Sequence, residues 1–373
     1  MIETIPSTSA LATRLRERIK REGPITFCDW MKAALYDLND GYYCRADRSR
    51  WGREGDYRTS PERSSLFAAT FARYFAGLYE KLSRPTAWTI LEAGAGDGHF
   101  ALGLLQTLQK SFPNVFAATS YVIDEVSMHS ANRARERLQP FADRIQFKPL
   151  DEVEVSPGLV FSNELLDAFP VHRVTLHAGE FKEFYVTVGD DGNFQWLLDA
   201  PSPQLSPHLE EYFAEPGIPP KEGQVVEVSL EIEEWLRRVA ARIRRGYLIT
   251  VDYGAAAEDL DSPQVNSGGT LRGFQEHQFV DDLLARPGEH DLTTTVNWSF
   301  VKSAGANTGL EFVELTRQDR FLLASGFLEQ LEVESLQAEN EAERLWLSTT
   351  AREMILPDGM AARFQVLVQK KAS

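Results

Sequence analysis

Apolar positions recur at helical spacing through the first forty residues. Leu11 to Lys20 is amphipathic, and beyond a Gly23-Pro24 break Ile25 to Leu38 repeats the spacing, which predicts two helices. A polar loop, Asp40 to Ser60, ends in Thr59-Ser60-Pro61-Glu62, which holds hydroxyls suited to an N-cap, a proline suited to a first turn and a glutamate three residues after Thr59. A helix is predicted from there toward Leu82. From Trp88 the pattern becomes short apolar runs alternating with helical segments, the signature of a parallel α/β sheet. The predicted strands are Trp88 to Ala93, Tyr121 to Glu125, Ile145 to Pro149, Leu159 to Asn163 and Tyr247 to Asp252.

Two stretches break that rhythm. Arg173 to Val188 alternates like a β-hairpin turning at His177-Ala178-Gly179-Glu180, with a further strand over Phe194 to Leu198 and a proline-rich connection to Pro220. Gly254 to Asn307 is glycine- and acid-rich, with little periodicity beyond a short helix near Asp281-Asp282-Leu283-Leu284; loops of that length in a compact protein are usually functional or disordered. The remaining chain reads as Glu311 to Thr316, helices over Arg317 to Leu323 and around Glu332 to Leu347, and a last strand, Phe364 to Gln369. The organisation expected is an N-terminal helical cap with a loop over residues 1–86, then an α/β core over 87–373 carrying insertions at 173–220 and 254–307.

Composition narrows the function. The chain is 43% hydrophobic, ample for a large core, and its formal net charge of -16 repels a phosphate backbone, which disfavours nucleic acid as a partner. The chain carries neither a cationic start followed by an apolar run nor a membrane-length apolar stretch, and its two cysteines, Cys28 and Cys44, have no metal-site spacing. The expectation is a cytoplasmic protein needing no metal, with a cationic protein or a small molecule as partner.

The strongest local signal is Gly94-Ala95-Gly96-Asp97-Gly98, between a strand and the helical run Phe100 to Leu108. Glycines there let the backbone turn sharply and approach a ligand. A dinucleotide loop wants a third glycine where this chain has His99, and places its acidic residue about twenty positions on, whereas Asp124-Glu125 lies about thirty on. Both departures favour S-adenosylmethionine over NAD and argue against a dinucleotide oxidoreductase. Glu92 ends the first strand, where its carboxylate can accept from the ligand's amino group or from loop amides. Glu125 ends the second, where a carboxylate can take both ribose hydroxyls.

The second notable segment, Ser162 to His172, follows the fourth strand, where this architecture presents an acceptor nitrogen. Asn163, Glu164 and Asp167 put acceptors at that edge and suit a guanidinium, which stays charged and is oriented by paired carboxylates. His172 is either a base or a structural histidine. Asp56 either reaches over the cofactor or shapes a turn. Arg272, His277 and the His290-Asp291 pair, in the second insertion, are candidates to close over the substrate.

Together these segments resemble the MidA-like family of class I methyltransferases, which includes the mitochondrial complex I assembly-factor arginine methyltransferase. Gly55-Asp56-Tyr57-Arg58-Thr59-Ser60-Pro61-Glu62 is similar to the family's Gly-Asp-Phe-x-Thr-Ser-Pro-Glu, and Asn163 to His172 is similar to its Asn-Glu-x-x-Asp-Ala-x-Pro-Val-His almost residue for residue. Later landmarks include Val251-Asp252-Tyr253-Gly254, Gly269-Thr270-Leu271-Arg272 and Asp358-Gly359-Met360. The glycine loop departs from the family at Ala93, Ala95 and Asp97 to His99. The resemblance implies a Rossmann-like, doubly wound, seven-stranded sheet with an antiparallel last strand and a helical N-terminal extension. It also implies S-adenosyl-L-methionine as cofactor and methylation of arginine in a partner protein, a respiratory-complex subunit among the candidates. The alternative is a catalytically silent assembly protein that keeps the fold and the cofactor.

Overall fold

The computed structural model describes residues 8–45, 65–209, 221–260, 268–276, 278–356 and 363–372. With strands numbered along the chain, the main sheet runs β15 (Glu311–Arg317), β16 (Phe364–Lys371), β10 (Gly246–Ala255), β5 (Gly158–Asn163), β2 (Trp88–Ala93), β3 (Thr119–Asp124) and β4 (Ile145–Phe147), and a short β14 (Val296–Asn297) pairs with the far end of β10. Only β16 is antiparallel to its neighbours, so the doubly wound sheet with its antiparallel last strand is as expected. The chain winds from β2 toward β4 in one direction and from β5 toward β10 in the other. Between β2 and β5 the carboxyl ends therefore flank the crevice where such sheets take ligands.

Each face of the sheet is sealed by helices. On one side the helix Ser65–Lys81 aims Phe67, Phe71 and Phe75, spaced four apart, at Phe100 and Phe161, whose rings stack with centroids 4.2 Å apart. Burying each such ring is worth about 1.5–3 kcal/mol. On the other side Leu230–Arg242 and Trp298–Asn307 cover Leu91, Val160, Leu248 and Leu367. The helix Ser65–Lys81, expected within the N-terminal cap, thus packs on the main sheet, and its expected start at Thr59 to Pro61 lies outside the described residues.

A second, antiparallel sheet runs β1 (Ile25–Thr26), β7 (Glu180–Val188), β6 (His172–His177) and β9 (Val225–Val228), with β8 (Phe194–Asp199) also on β7. The β6–β7 hairpin turns at Ala178 and Gly179, at φ 51° and 78°, the left-handed pair a two-residue turn requires. Glu222 holds both of their amides, at 2.5 and 3.3 Å. The second predicted helix starts later than the spacing suggested, at Phe27, because Ile25 and Thr26 pair with Val186 and Tyr185 and the Thr26 hydroxyl accepts the Asp29 amide at 3.1 Å. The N-terminal helices, Ala10–Glu22 and Phe27–Tyr36, share a core with Val171 and Val186 and with Leu284 and Leu292 of the second insertion.

Two further expectations need correction. The second insertion holds a three-stranded sheet, β12 (Gln278–Phe279), β11 (Arg272–Gln275) and β13 (Asp291–Thr293), and turns instead of a helix at Asp281 to Leu284. The single helix expected over Glu332 to Leu347 is two, Phe327–Gln337 and Glu341–Ile355, because the Asn340 side chain caps a fresh start on the Glu343 amide.

Candidate active site

The glycine loop leaves β2 at the crevice. Gly94, Gly96 and Gly98 adopt φ of 69°, 54° and 76°, left-handed values that a side chain would strain. A Cβ on Gly94 would stand 2.9 Å from Leu165 Cδ1, so this loop and the segment after β5 are in direct contact. Asp97 is buried with Arg133 Nη2 2.7 Å from Oδ2, and Arg137 donates to its carbonyl, which pins the loop to the helix Met128–Arg137.

Glu125 stands one residue beyond β3. Its Oε2 accepts the Gly96 amide and its Oε1 the Ser127 amide, each at 2.8 Å. A carboxylate accepts from several donors at once, which suits a residue placed where the loop meets ligand hydroxyls. Glu92 faces the helical layer, where Oε2 accepts the Tyr121 hydroxyl at 2.6 Å. Burial, with the Glu125 charge adding to it, pushes the Glu92 carboxyl up to about 8. Asp56, expected over the cofactor, lies outside the described residues, as does His277.

The acceptor segment is built around two buried aspartates. Glu164 takes φ 52°, left-handed for a residue with a side chain, as its amide donates to the Val251 carbonyl at 2.9 Å; the Asn163 amide group donates to Glu164 Oε1 at 3.0 Å. Asp252, near the end of β10, gathers the turn that follows: its Oδ2 accepts the amides of Leu165, Leu166 and Asp167 at 3.2, 3.0 and 3.3 Å, while Oδ1 accepts that of Tyr253 at 2.9 Å. Burial, then the charges of Asp167 and Glu164, hold the Asp252 carboxyl well above the usual range. Asp167 accepts the Thr293 hydroxyl at 2.8 Å, and the Tyr253 hydroxyl touches Thr293. Burial raises the Asp167 carboxyl, opposed by hydrogen bonds from Tyr253 and Thr293 and by the charge of Arg272.

The second insertion and the cap meet here. Thr293 and Arg272 are directly paired across β11 and β13; the Arg272 guanidinium lies 5.1 Å from the Tyr253 ring centroid and donates to the Thr295 hydroxyl at 3.1 Å. Tyr36, from the N-terminal cap, donates to the Ala168 carbonyl at 3.0 Å, and its hydroxyl is pushed up by burial and then by the charges of Asp167, Asp291 and Glu125. One tyrosine is thus within electrostatic reach of both the acceptor segment and the cofactor loop. Tyr43 donates to Asp291 at 2.7 Å.

His172 does not join this cluster. Its ring Nδ1 is 2.6 Å from Glu183 Oε1 in the buried second sheet, Glu183 Oε2 accepts the Ser202 amide at 2.6 Å, and His172 is 3% exposed. Held by a buried carboxylate within the second sheet and outside the hydrogen-bond cluster of Asp167 and Asp252, His172 fits the structural alternative better than the base. His290 likewise bonds inward, to the Leu283 carbonyl at 3.1 Å. Sequence reasoning passed over Asp252, Tyr253, Thr293, Tyr36 and Tyr43 as site residues. For Asp252 a signal existed: like Glu92 and Glu125 it is an acid at the carboxyl end of a central strand.

The donor set at the crevice suits S-adenosyl-L-methionine. Three left-handed glycines keep side chains off the loop, Glu125 offers acceptors for hydroxyls, and the buried Asn163 Oδ1 has no partner among the described residues. A profile of the family described as S-adenosyl-L-methionine-dependent methyltransferase matches residues 70–316. Among curated proteins, Protein arginine methyltransferase NDUFAF7 homolog, mitochondrial, of Drosophila melanogaster is 28% identical over 328 residues, 80% of this chain and 71% of the fly protein. The human Protein arginine methyltransferase NDUFAF7, mitochondrial, is 25% identical over 342 residues, 80% of this chain and 70% of its own. A Burkholderia thailandensis protein solved with bound S-adenosyl-homocysteine superposes with a TM-score of 0.84 at 29% identity, covering 97% of this chain and 92% of its own. The chain belongs to the MidA-like family of class I S-adenosyl-L-methionine-dependent methyltransferases.

Proposed function

We propose that this methyltransferase acts on a guanidinium nitrogen of arginine in a partner protein. The observation that carries the reading is Glu164. Its carboxylate stands at the edge of β5 on a left-handed residue, next to Leu165, which touches the cofactor loop. Strained backbone of this kind persists where the surroundings enforce it, and here Asn163 and the Val251 carbonyl do so. A guanidinium is always charged and presents several N–H donors in one plane, so a carboxylate beside the methyl donor both holds and orients it. The names of the fly and human relatives support the same substrate class.

Bound S-adenosyl-L-methionine supplies an electrophilic sulfonium methyl. The protein's own residues supply position. Glu164 and Asn163 hold the accepting group, the Asp252 clamp fixes the turn that follows them, and Tyr36 and Tyr253 tie that turn to the cap and the second insertion. Such positioning is worth several kcal/mol, up to about 7–11 kcal/mol in favourable cases. The proton leaves late to a carboxylate at this edge, Glu164 being the nearest to solvent.

The test is incubation of the full chain with S-adenosyl-L-methionine and arginine-bearing peptides, read by mass spectrometry for methylarginine. E164Q is expected to lower the rate at least about a hundredfold while calorimetric cofactor binding persists. Transfer to a different residue type, or an undiminished E164Q rate, overturns the reading. Cofactor binding without any methylation supports the assembly-protein alternative. A pulldown with methylarginine mapping identifies the partner.

A further inference from the structure

Arg272 is unused by the chemistry above. It sits in β11 opposite Thr293, the residue whose hydroxyl bonds Asp167, so the cross-strand pair delivers a hydroxyl and a guanidinium to the same end of the site. One guanidinium nitrogen, Nη2, is engaged by Thr295, and the Tyr253 ring lies 5.1 Å from the guanidinium carbon. Nε is different. It is a buried donor with no acceptor among the described residues. A buried N–H left unmade is costly, and in a substrate site it marks where a ligand acceptor completes the set.

The insertion that carries Arg272 is itself anchored. Glu227 Oε2 accepts the Thr270 amide at 2.7 Å and the Thr270 hydroxyl at 3.0 Å, and Glu227 Oε1 is 3.2 Å from Arg173 Nε. The Thr270 hydroxyl in turn accepts the Thr295 amide at 3.0 Å. Arg272 is therefore held between two residues of one braced network, which suits a recognition element better than a mobile surface side chain.

We propose that Arg272 is a specificity-determining residue that donates from Nε to the backbone carbonyl beside the target arginine, so that the enzyme reads a peptide-borne guanidinium in preference to a free one. This rests on the arginine reading and deepens it. A target arginine meets carboxylates at its guanidinium end, and its main chain offers the acceptor that Arg272 lacks. Free guanidines satisfy only the first half.

The experiment compares two singly charged probes, Nα-acetyl-arginine N-methylamide and propylguanidine, by calorimetry on the full chain saturated with S-adenosylhomocysteine. The wild type is expected to favour the amide-bearing probe, and R272A to shrink that preference about tenfold, the scale of one hydrogen bond from a charged donor, while the lost charge acts on both singly charged probes alike. R272K, which keeps the charge near Tyr253 but loses the Nε donor, is expected to behave as R272A does. An unchanged preference in both variants overturns the inference while the arginine reading stands. Weakened S-adenosylhomocysteine binding in R272K, with the preference intact, also overturns it and assigns Arg272 to the cofactor. If neither probe binds the wild type, the arginine reading itself fails.

Discussion

The Tyr121 hydroxyl donates to Glu92 at 2.6 Å beneath the glycine loop, and the carboxyl it meets is pushed up to about 8 by burial. The ordinary value is 4.5, so between about 4.5 and about 8 the folded protein holds a proton that the unfolded chain has released. Stability contributed by this group is complete below the lower value and is lost as pH rises through the upper one, at about 1.4 kcal/mol per pH unit. E92Q removes that slope. Denaturant titrations from pH 5 to 9 should show a wild-type decline steeper than that of the variant, in which the raised carboxyls of Asp252 and Asp167 still contribute; parallel curves would refute the assignment.

Glu125 braces the loop through Gly96 and the start of the following helix through Ser127. E125Q turns one acceptor oxygen into a donor facing an amide N–H. Calorimetry should report S-adenosyl-L-methionine binding at least about tenfold weaker, equivalent to about 1.4 kcal/mol, with the melting temperature shifted only slightly. Unchanged affinity would remove Glu125 from the cofactor site.

Gly94 at φ 69° cannot take a side chain without strain. G94A is expected to cost about 1–2 kcal/mol through the left-handed backbone. The added carbon also meets Leu165 Cδ1 at 2.9 Å, which a rotation of that flexible side chain relieves at the expense of the Glu164 turn. Methyl transfer should therefore fall more than stability does, as measured by the rate at saturating cofactor beside thermal unfolding.

Arg173 and Glu227 form a buried ion pair, with side chains 11% and 5% exposed, and Glu227 also holds Thr270. E227A leaves the arginine uncompensated and is expected to destabilise by about 3–5 kcal/mol. An exposed pair such as Lys182 with Glu180 is worth far less, so K182A serves as the control. Equal melting shifts in the two variants would sink the claim that the buried pair anchors the insertion.

The main sheet was legible because each central strand carries a short apolar run closed by a turn, as Ile90-Leu91 does within Trp88 to Ala93. The strands of the second insertion were not. β11, β12 and β13 span four, two and three residues, too short for an alternation to register. Nor could spacing bring Tyr36, Asp167, Tyr253 and Thr293 together, since they come from four separate stretches and meet only through tertiary packing. His172 illustrates the converse: a histidine opening a strand reads alike in sequence whether it faces a substrate or, as here, Glu183.

The Leu165 side chain lies against Gly94 and so joins the cofactor loop to the acceptor turn. A displacement of the loop on taking up its ligand is felt first at Leu165, the residue next to Glu164. Whatever free energy the first ligand lends to that rearrangement is returned in full to the second, by thermodynamic reciprocity. In two sites joined in this way, each ligand changes the affinity for the other by the same factor.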